Sequence, residues 1–142
     1  MRKRTHAREV ALKVLYQLDI SRQEFSLKIE DTWCDEEKLE LDVAEFADFL
    51  VRGVHKHFKE IDGLIVKYAT NWQLKRMAVI DRNILRLGVF ELMFSEDIPA
   101  KVSINEAIDL AKKYGDADSG KFVNGVLDKI NKTHKKKCQE DS

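Results

Sequence analysis

One stretch constrains the fold of this chain more than any other: residues 79–94 read VIDRNILRLGVFELMF. At about 100° per residue, its apolar side chains point to almost every side of a helix. A helix of this kind is stable only when other helices enclose it, so we predict a central helix over residues 76–94 of an all-α protein. Its charges exclude a membrane span. Narrow polar openings remain at Asp81, Arg82, Asn83, Arg86 and Glu91.

Length and cysteine usage place the chain in a broad class. Its 142 residues are enough to bury a core without disulfides, so we expect a single domain over residues 1–142, with a basic arm at 1–5 and a lysine-rich tail at 132–142. Cys34 and Cys138 show neither disulfide nor zinc spacing. With no apolar run typical of a secretion signal or membrane span, we predict a cytoplasmic protein that binds no membrane.

The charges are segregated although their formal sum is zero. Residues 30–48 carry nine acidic side chains against Lys38 alone, whereas both ends of the chain are basic. If the two basic ends meet in the fold, they form an anion-binding face on a neutral protein.

Apolar side chains repeat at three and four residues through most of the remaining chain, with no strand alternation. We predict that helix ends are set by Thr5 and Asp42 as N-caps, by a capping box of Ser103 and Glu106, and by Gly115 as a C-terminal stop. The predicted helices cover 5–20, about 27–34, 42 to near Phe58, about 60 onward, 103–115 and a last helix after Asp118 and Ser119, with Trp72 packing under the central helix.

Residue patterns typical of catalysis are missing from the sequence. His55 and His57 lie about 200° apart on a helix, so they cannot hold a metal together. The run GKFVNG at 120–125 is not a phosphate loop, because its lysine follows the first glycine and not the second. We therefore expect no enzymatic activity, no metal and no cofactor.

Three motifs occur in order along the chain: DRNILRLGVFEL at 81–92, INEAIDLAKKYG at 104–115 and GKFVNGVLDKI at 120–130. Together with AREVALKVLYQLD at 7–19, they make the chain similar to the NusB family of bacterial transcription antitermination factors. The resemblance covers nearly the whole chain and is unspecific only at 21–41. It implies an all-α fold of about seven helices in two packed subbundles.

The resemblance also implies a function. Members of this family bind the boxA segment of nascent RNA jointly with the small-subunit ribosomal protein that acts as NusE. Within the elongation complex they help RNA polymerase to read through terminators, notably in ribosomal RNA operons. Nothing in that role requires a catalytic step.

Site residues follow from the resemblance where positions match. It implies that charge at Asp118 limits RNA affinity and that Asp81 belongs to a partner-facing surface. Lys121 and Asn124 lie beside Phe122 in the KFVNG motif, and Arg82 and Arg86 lie four residues apart on one flank of the central helix. The predicted RNA-binding residues are Arg2, Lys3, Arg4, Arg8, Tyr16, Tyr68, Asp118, Lys121, Phe122 and Asn124, and the predicted partner-binding residues are Asp81, Arg82 and Arg86.

The chemistry of these residues suits RNA. Proteins recognise unpaired bases by stacking them on aromatic rings and holding the strand with cations. Tyr16 and Phe122 supply rings, and Arg4, Arg8 and Lys121 supply cations. If Phe122 were a core residue instead, its removal would destabilise the fold and leave RNA binding unexplained.

Other classes of function stay open from the residues. Related helical domains precede RNA cytosine methyltransferases, but a chain ending at Ser142 leaves no room for a methyl-donor domain. A protein-binding bundle with merely solubilising basic ends is a third interpretation, and it would not bind RNA. A homodimer that buries Phe49, Val89 or Phe94 is also open.

Overall fold

The computed structural model describes residues 3–21, 40–69 and 76–134, and its regular structure there is helical, with no strand. The all-α prediction is therefore confirmed for these ranges. The predicted short helix at 27–34 lies outside the described residues, as do Trp72 and Arg2. The described helices are α1 (Lys3–Ser21), α2 (Leu41–Lys56), α3 (Phe58–Tyr68), α4 (Val79–Phe94), α5 (Ala100–Tyr114) and α6 (Ser119–Thr133).

Helix α4 is the centre of the fold and contacts each of the other five helices. Ile84, Leu85 and Val89 on α4 are completely buried. Helices α1 and α2 pack together on α4, α5 and α6 form a second packed pair against it, and α3 contacts both α4 and α6. The predicted central helix is confirmed, although its α-helical part begins at Val79 and not at residue 76.

Two glycines allow neighbouring helices to approach α4 closely. A Cβ atom built on Gly53 of α2 would lie 2.2 Å from Cζ of Phe90, and one built on Gly88 of α4 would lie 2.7 Å from Cδ1 of Leu127 on α6. Neither distance is compatible with a side chain larger than hydrogen. These contacts bring α2 and α6 directly against the central helix.

Two predicted helix starts are wrong for the same reason. Helix α1 begins at Lys3, before Thr5, and α5 begins at Ala100, before Ser103. The Thr5 hydroxyl donates instead to Glu106, and the Ser103 hydroxyl donates to Glu91. Side chains that match a capping pattern along the chain are therefore used for contacts between helices.

Other predicted boundaries agree with the structure. Helices α2 and α3 are separated at His57, next to the predicted break at Phe58. Helix α5 ends before Gly115, and α6 begins after Asp118. The predicted N-cap of α2, Asp42, is wrong by two residues, because Glu40 occupies the N-cap position and the helix begins at Leu41.

Burial excludes Val89, one of the three residues considered for a self-interface. This side chain is fully buried in its own fold, so it is not available for the homodimer that the sequence leaves open. Phe49 remains 45% exposed, and the half-buried Phe94 ring stacks on His57 with centroids 3.8 Å apart. Within the described ranges, none of the helices combines the length and apolarity needed to cross a bilayer.

Candidate nucleic-acid interface

The start of α1 meets the acidic start of α2. Lys3 Nζ lies 3.1 Å from Asp42 Oδ2 and 3.3 Å from Glu40 Oε2. The hydrogen bonds to Asp42 and Glu40 raise the pKa of the exposed Lys3 ammonium. Lys3 is accessible to RNA, but it already has carboxylate partners in its own chain.

Arg4 is also exposed and also engaged within the chain. Its Nη2 atom lies 3.9 Å from Asp97 Oδ2, and its Cζ atom lies 4.6 Å from the centroid of the Phe46 ring. A guanidinium over an aromatic face is attracted by the ring quadrupole. Arg4 therefore presents one edge to solvent while the Phe46 ring orients it.

Arg8, one of the predicted RNA-binding residues, is not on the surface but buried between helices. Its side chain is 3% exposed. Its Nε and Nη2 atoms donate to Glu91 at 2.9 and 2.6 Å, and Nη1 donates to Glu106 at 3.3 Å. This two-point pairing matches the planar fork of a guanidinium to a carboxylate, and burial makes the loss of either partner alone costly.

Two hydroxyl groups complete this buried cluster, which we define as Arg8, Glu91, Glu106, Thr5 and Ser103. The Ser103 hydroxyl donates to Glu91 Oε1 at 3.0 Å, and the Thr5 hydroxyl donates to Glu106 Oε1 at 2.7 Å. The cluster therefore joins α1, α4 and α5. Its carboxylates come from parts of the chain far from Arg8, so local pattern reasoning missed them.

The sequence did contain one signal for the burial of Arg8. Ala7, Ala11 and Leu15 form the apolar stripe of α1, and Arg8 lies three and seven residues before the last two of them. Residues at that spacing share a helix face. The helical position of Arg8 therefore indicated burial as strongly as its charge indicated exposure.

The start of α6, residues 118–124, brings four residues of the predicted site close together. Lys121 and Asn124 are exposed, and Lys121 makes no ion pair with the part of the chain that the structure describes. Phe122 is half-buried and packs against the core. Asp118, also exposed, stands at the N-cap position of the helix. A cation, an amide and an aromatic ring thus follow one another on a rigid element.

The remaining predicted RNA-binding residues lie apart from this region. Tyr68 ends α3, and its hydroxyl lies 2.9 Å from Nε2 of His134, just beyond α6. Phe122 precedes His134 by twelve residues, about 18 Å along a helix. Tyr16, 37% exposed, is equally far along α1 from Arg4. The described candidates therefore occupy separate places and not one compact patch.

The two arginines predicted to face a partner bind carboxylates of their own chain. Arg82 contacts Asp19 at 2.8 and 2.9 Å, and Arg86 contacts both Asp19 and Asp62 at 2.9 Å. Their side chains are 14% and 7% exposed. Arg86, one of the predicted partner-binding residues, is thus an interior residue paired within its own chain.

This network changes the acidity of Asp19. Burial alone would raise the pKa of this carboxyl group. Hydrogen bonds from Arg82 and Asn83, with the charges of Arg86 and Arg82, outweigh burial and lower the pKa below its ordinary value. The end of α1 is thereby tied to α4 as a charged pair.

Asp81 lies at the junction of α4 and α6 in the opposite electrostatic situation. Its residue is 8% exposed, and Oδ1 has no hydrogen-bond partner in the described part of the chain. Burial raises the pKa of Asp81, a hydrogen bond with Ser119 offsets part of this shift, and the charge of Asp116 adds to it. Asp81 is therefore a buried carboxyl group that contacts the start of α6 through Ser119 and keeps one oxygen without a partner in the described part of the chain.

Within residues 3–21, 40–69 and 76–134, no three histidine, cysteine or acidic side chains are placed to hold a metal ion. The arrangement that these ranges do present is one of cations and rings on helix surfaces. Such groups bind a polyanion without changing it covalently.

Comparisons with known proteins place this geometry in a family. The model of the NusB family matches residues 5–132. The transcription antitermination protein NusB of Anaeromyxobacter dehalogenans (strain 2CP-1) is 51% identical over 128 residues, which cover 90% of this chain and 89% of that protein. The protein of the same name from Syntrophus aciditrophicus is 46% identical over 142 residues, covering 99% and 88%.

Solved structures agree with the fold over almost the whole chain. T. maritima NusB superposes with a TM-score of 0.87 at 39% identity, covering 98% of this chain and 97% of that one. A chain from a crystal structure of antitermination factors NusB and NusE in complex with dsRNA superposes with a TM-score of 0.84 at 36% identity, covering 94% and 98%.

Proposed function

The chain belongs to the NusB family, and from this membership we propose that it is a transcription antitermination factor that binds RNA together with NusE. The observation that carries the proposal is the start of α6, where exposed Lys121 and Asn124 flank the half-buried ring of Phe122. Such a surface binds single-stranded nucleic acid by stacking and charge. The protein binds and positions its partners and has no catalytic step of its own.

Direct RNA contacts are assigned first to the start of α6. Lys121 makes no ion pair among the described residues, so it binds a phosphate without first losing a carboxylate partner. The exposed edge of Phe122 accepts a base, and the Asn124 amide donates to or accepts from base edges. Asp118, exposed one turn before Phe122, repels phosphate and limits affinity.

The start of α1 contributes a second, conditional contact. Lys3 and Arg4 reach phosphates after exchanging their own carboxylate partners, so their contribution depends on salt and on competing charge. Arg2 belongs to the same basic arm. Tyr16 on α1 and Tyr68 at the end of α3 supply further rings for bases of the strand outside the start of α6.

NusE is the proposed protein partner. A relative was crystallised as a complex of NusB and NusE with dsRNA, and the chain superposes on that relative nearly end to end. Asp81 and Arg82 occupy neighbouring positions at the start of α4, where they shape the surface from beneath. We assign partner binding to the exposed side chains around them.

The finer parts of the role follow the same reasoning. The RNA is a boxA segment, the complex acts on the elongating RNA polymerase in the cytoplasm, and ribosomal RNA operons are the main target. Self-association, where it occurs, involves the exposed Phe49 ring and competes with this assembly.

Binding of a short boxA-like RNA tests the proposal against a scrambled RNA of equal length. Each RNA is titrated at two salt concentrations, with and without purified NusE. We expect preference for the boxA-like RNA, tighter binding with NusE and a negative salt slope that estimates the phosphate contacts. If neither RNA binds even with NusE present, the proposal is wrong and the molecule is a protein-binding bundle.

A further inference from the structure

Gly125 stands in the interior of α6 with no packing reason to be a glycine. A Cβ atom built there would find no atom of the described chain within 4 Å, and its residue is exposed. Its backbone does not adopt the left-handed conformation that favours glycine. Gly53 and Gly88, in contrast, are required by the close approach of Phe90 and Leu127.

A glycine within a helix destabilises the protein relative to alanine, because the unfolded chain has more backbone freedom to lose. Nothing inside the described fold compensates for this at Gly125. A glycine also permits another molecule to lie directly on the backbone. The open position therefore leaves room for a close approach from outside the fold, and the residues around it decide whether a ligand would use that room.

The surroundings of Gly125 indicate the chemistry of that molecule. Lys121 and Lys129 lie four residues before and after it, both exposed and neither in an ion pair with the described residues. Each is about 6 Å from Gly125 along the helix axis. Val126 and Ile130 point into the core, so this face offers cations and bare backbone instead of an apolar surface.

We propose that the sugar-phosphate backbone of the bound RNA lies directly against α6 at Gly125, with Lys121 and Lys129 holding phosphates on either side. This inference rests on the proposed RNA binding and adds where and how the strand passes. Phe122, one turn earlier on the same face, stacks a base of the same strand. Lys121, Lys129 and the Phe122 ring then define one path for the RNA strand along α6, which we call the track.

Substitution at Gly125 tests the track, because a side chain there fills the proposed space while favouring the helix. Gly125→Ala and Gly125→Leu both introduce good helix formers, so their melting temperatures should equal or exceed that of the wild type. With NusE present, affinity for the boxA-like RNA should fall about threefold for alanine and about tenfold or more for leucine, since the larger side chain displaces more close contacts.

Gly63 of α3 offers a matched control. It is exposed, a Cβ atom built on it would find no atom of the described chain within 4 Å, and Lys59 and Lys67 flank it at the same spacing. No aromatic residue precedes it by three positions, where Glu60 stands. Gly63→Ala and Gly63→Leu should gain stability in the same way and leave RNA affinity unchanged.

Salt dependence separates a steric effect from a lost charge. The Gly125 variants should keep the wild-type salt slope, whereas Lys121→Gln and Lys129→Gln should each reduce its magnitude by about 0.7. The inference is overturned if Gly125→Leu binds as tightly as the wild type, or if the Gly63 variants lose as much affinity. If the wild type itself does not bind the RNA, the proposed function fails and this inference fails with it.

Discussion

The two basic regions of this molecule handle their charges in opposite ways. At the start of α1, Lys3, Arg4 and Arg8 each lie against carboxylates of the same chain. At the start of α6, Lys121 has no such partner within the described ranges, and Asp81, which hydrogen-bonds Ser119 of the same helix, has no cation among the groups that shift its pKa. The charges at the start of α1 are therefore neutralised within the chain. The start of α6 keeps a surface cation without an ion pair among the described residues, next to a buried carboxyl group without a cation.

This difference separates structural charge from charge available for binding. A cation that already contacts a carboxylate must exchange that partner before it neutralises a phosphate, so part of the binding free energy is cancelled. A cation without a partner contributes its full screened interaction. Equal densities of lysine and arginine in the sequence therefore do not mean equal contributions to RNA binding.

Removing Arg8 should have the largest effect on stability, because Arg8 is the buried, neutralised cation at the start of α1. Arg8→Met leaves the buried carboxylate of Glu91 without its cation and should lower the free energy of unfolding by about 3 to 5 kcal/mol. Urea denaturation measures this loss. The double variant Arg8→Met/Glu91→Met should recover much of it, since no unpaired charge then remains at Glu91.

Arg52 supplies the control for Arg8. Its Nε atom lies 2.8 Å from Asp48 on the exposed side of α2, and its side chain is 54% exposed. Arg52→Met should change stability by about 0.5 kcal/mol or less. Equal losses for Arg8→Met and Arg52→Met would show that Arg8 is not structurally special and would return it to the candidates for RNA binding.

Phe122 tests the accessible side of the comparison. Because its ring is half-buried, Phe122→Ala should lower RNA affinity by about 1 to 3 kcal/mol and stability by less than the roughly 3 to 5 kcal/mol of a fully buried phenylalanine. Phe122→Leu keeps most of the packing but removes the stacking ring. A thermal melt with the full core loss, together with unchanged RNA binding by Phe122→Leu, would contradict the stacking role.

Asp19 and Asp81 test the contrast between paired and unpaired charge through the pH dependence of stability. The folded pKa of Asp19 is lowered by Arg82, Asn83 and Arg86 against the effect of burial, and that of Asp81 is raised by burial. A lowered pKa contributes stability that is present above the ordinary value and lost as pH falls through the lowered one. A raised pKa contributes stability that is present in acid and lost as pH rises through the raised value.

Asparagine substitutions should therefore behave oppositely. Asp19→Asn should lose about 1 to 2 kcal/mol near pH 7 and less near pH 3, because below the ordinary aspartate pKa the unfolded chain takes up the proton that the charged pair excludes. Asp81→Asn should be neutral or gain up to about 1 kcal/mol near pH 7, with no gain near pH 3. Denaturation curves at both pH values decide the matter, and parallel changes in the two variants would refute the contrast.

These contrasts also explain which parts of the molecule were predictable from sequence. The central helix α4 and the ends at Gly115 and Asp118 depend on residues within a few turns, so periodicity and capping rules identified them. Arg8 pairs with a carboxylate 83 positions away, and its burial overrode the basic pattern at the N-terminus.

The capping pattern failed for a related reason. Ser103 and Glu106 have the right types and spacing for a capping box, but both side chains are used by the buried cluster with α1 and α4. A local motif cannot indicate a competing tertiary partner. At the candidate site, the aromatic and basic types at Lys121 and Phe122 were visible in the sequence, whereas the open space over Gly125 required coordinates.

The smallest expected effect compares two exposed lysines. Lys121→Gln should weaken RNA binding by about 0.5 to 1 kcal/mol and reduce the magnitude of the salt slope by about 0.7, as for one lost phosphate contact on a single strand. Lys3→Gln should weaken binding less, because Asp42 and Glu40 already hold the Lys3 ammonium.

The companion variant Asp42→Asn releases Lys3 from one of these carboxylates, so it should strengthen binding and steepen the slope. RNA titrations at several salt concentrations measure all three variants. If Lys3→Gln and Lys121→Gln lose equal affinity and slope, neutralisation within the chain does not control availability, and the two basic regions contribute alike.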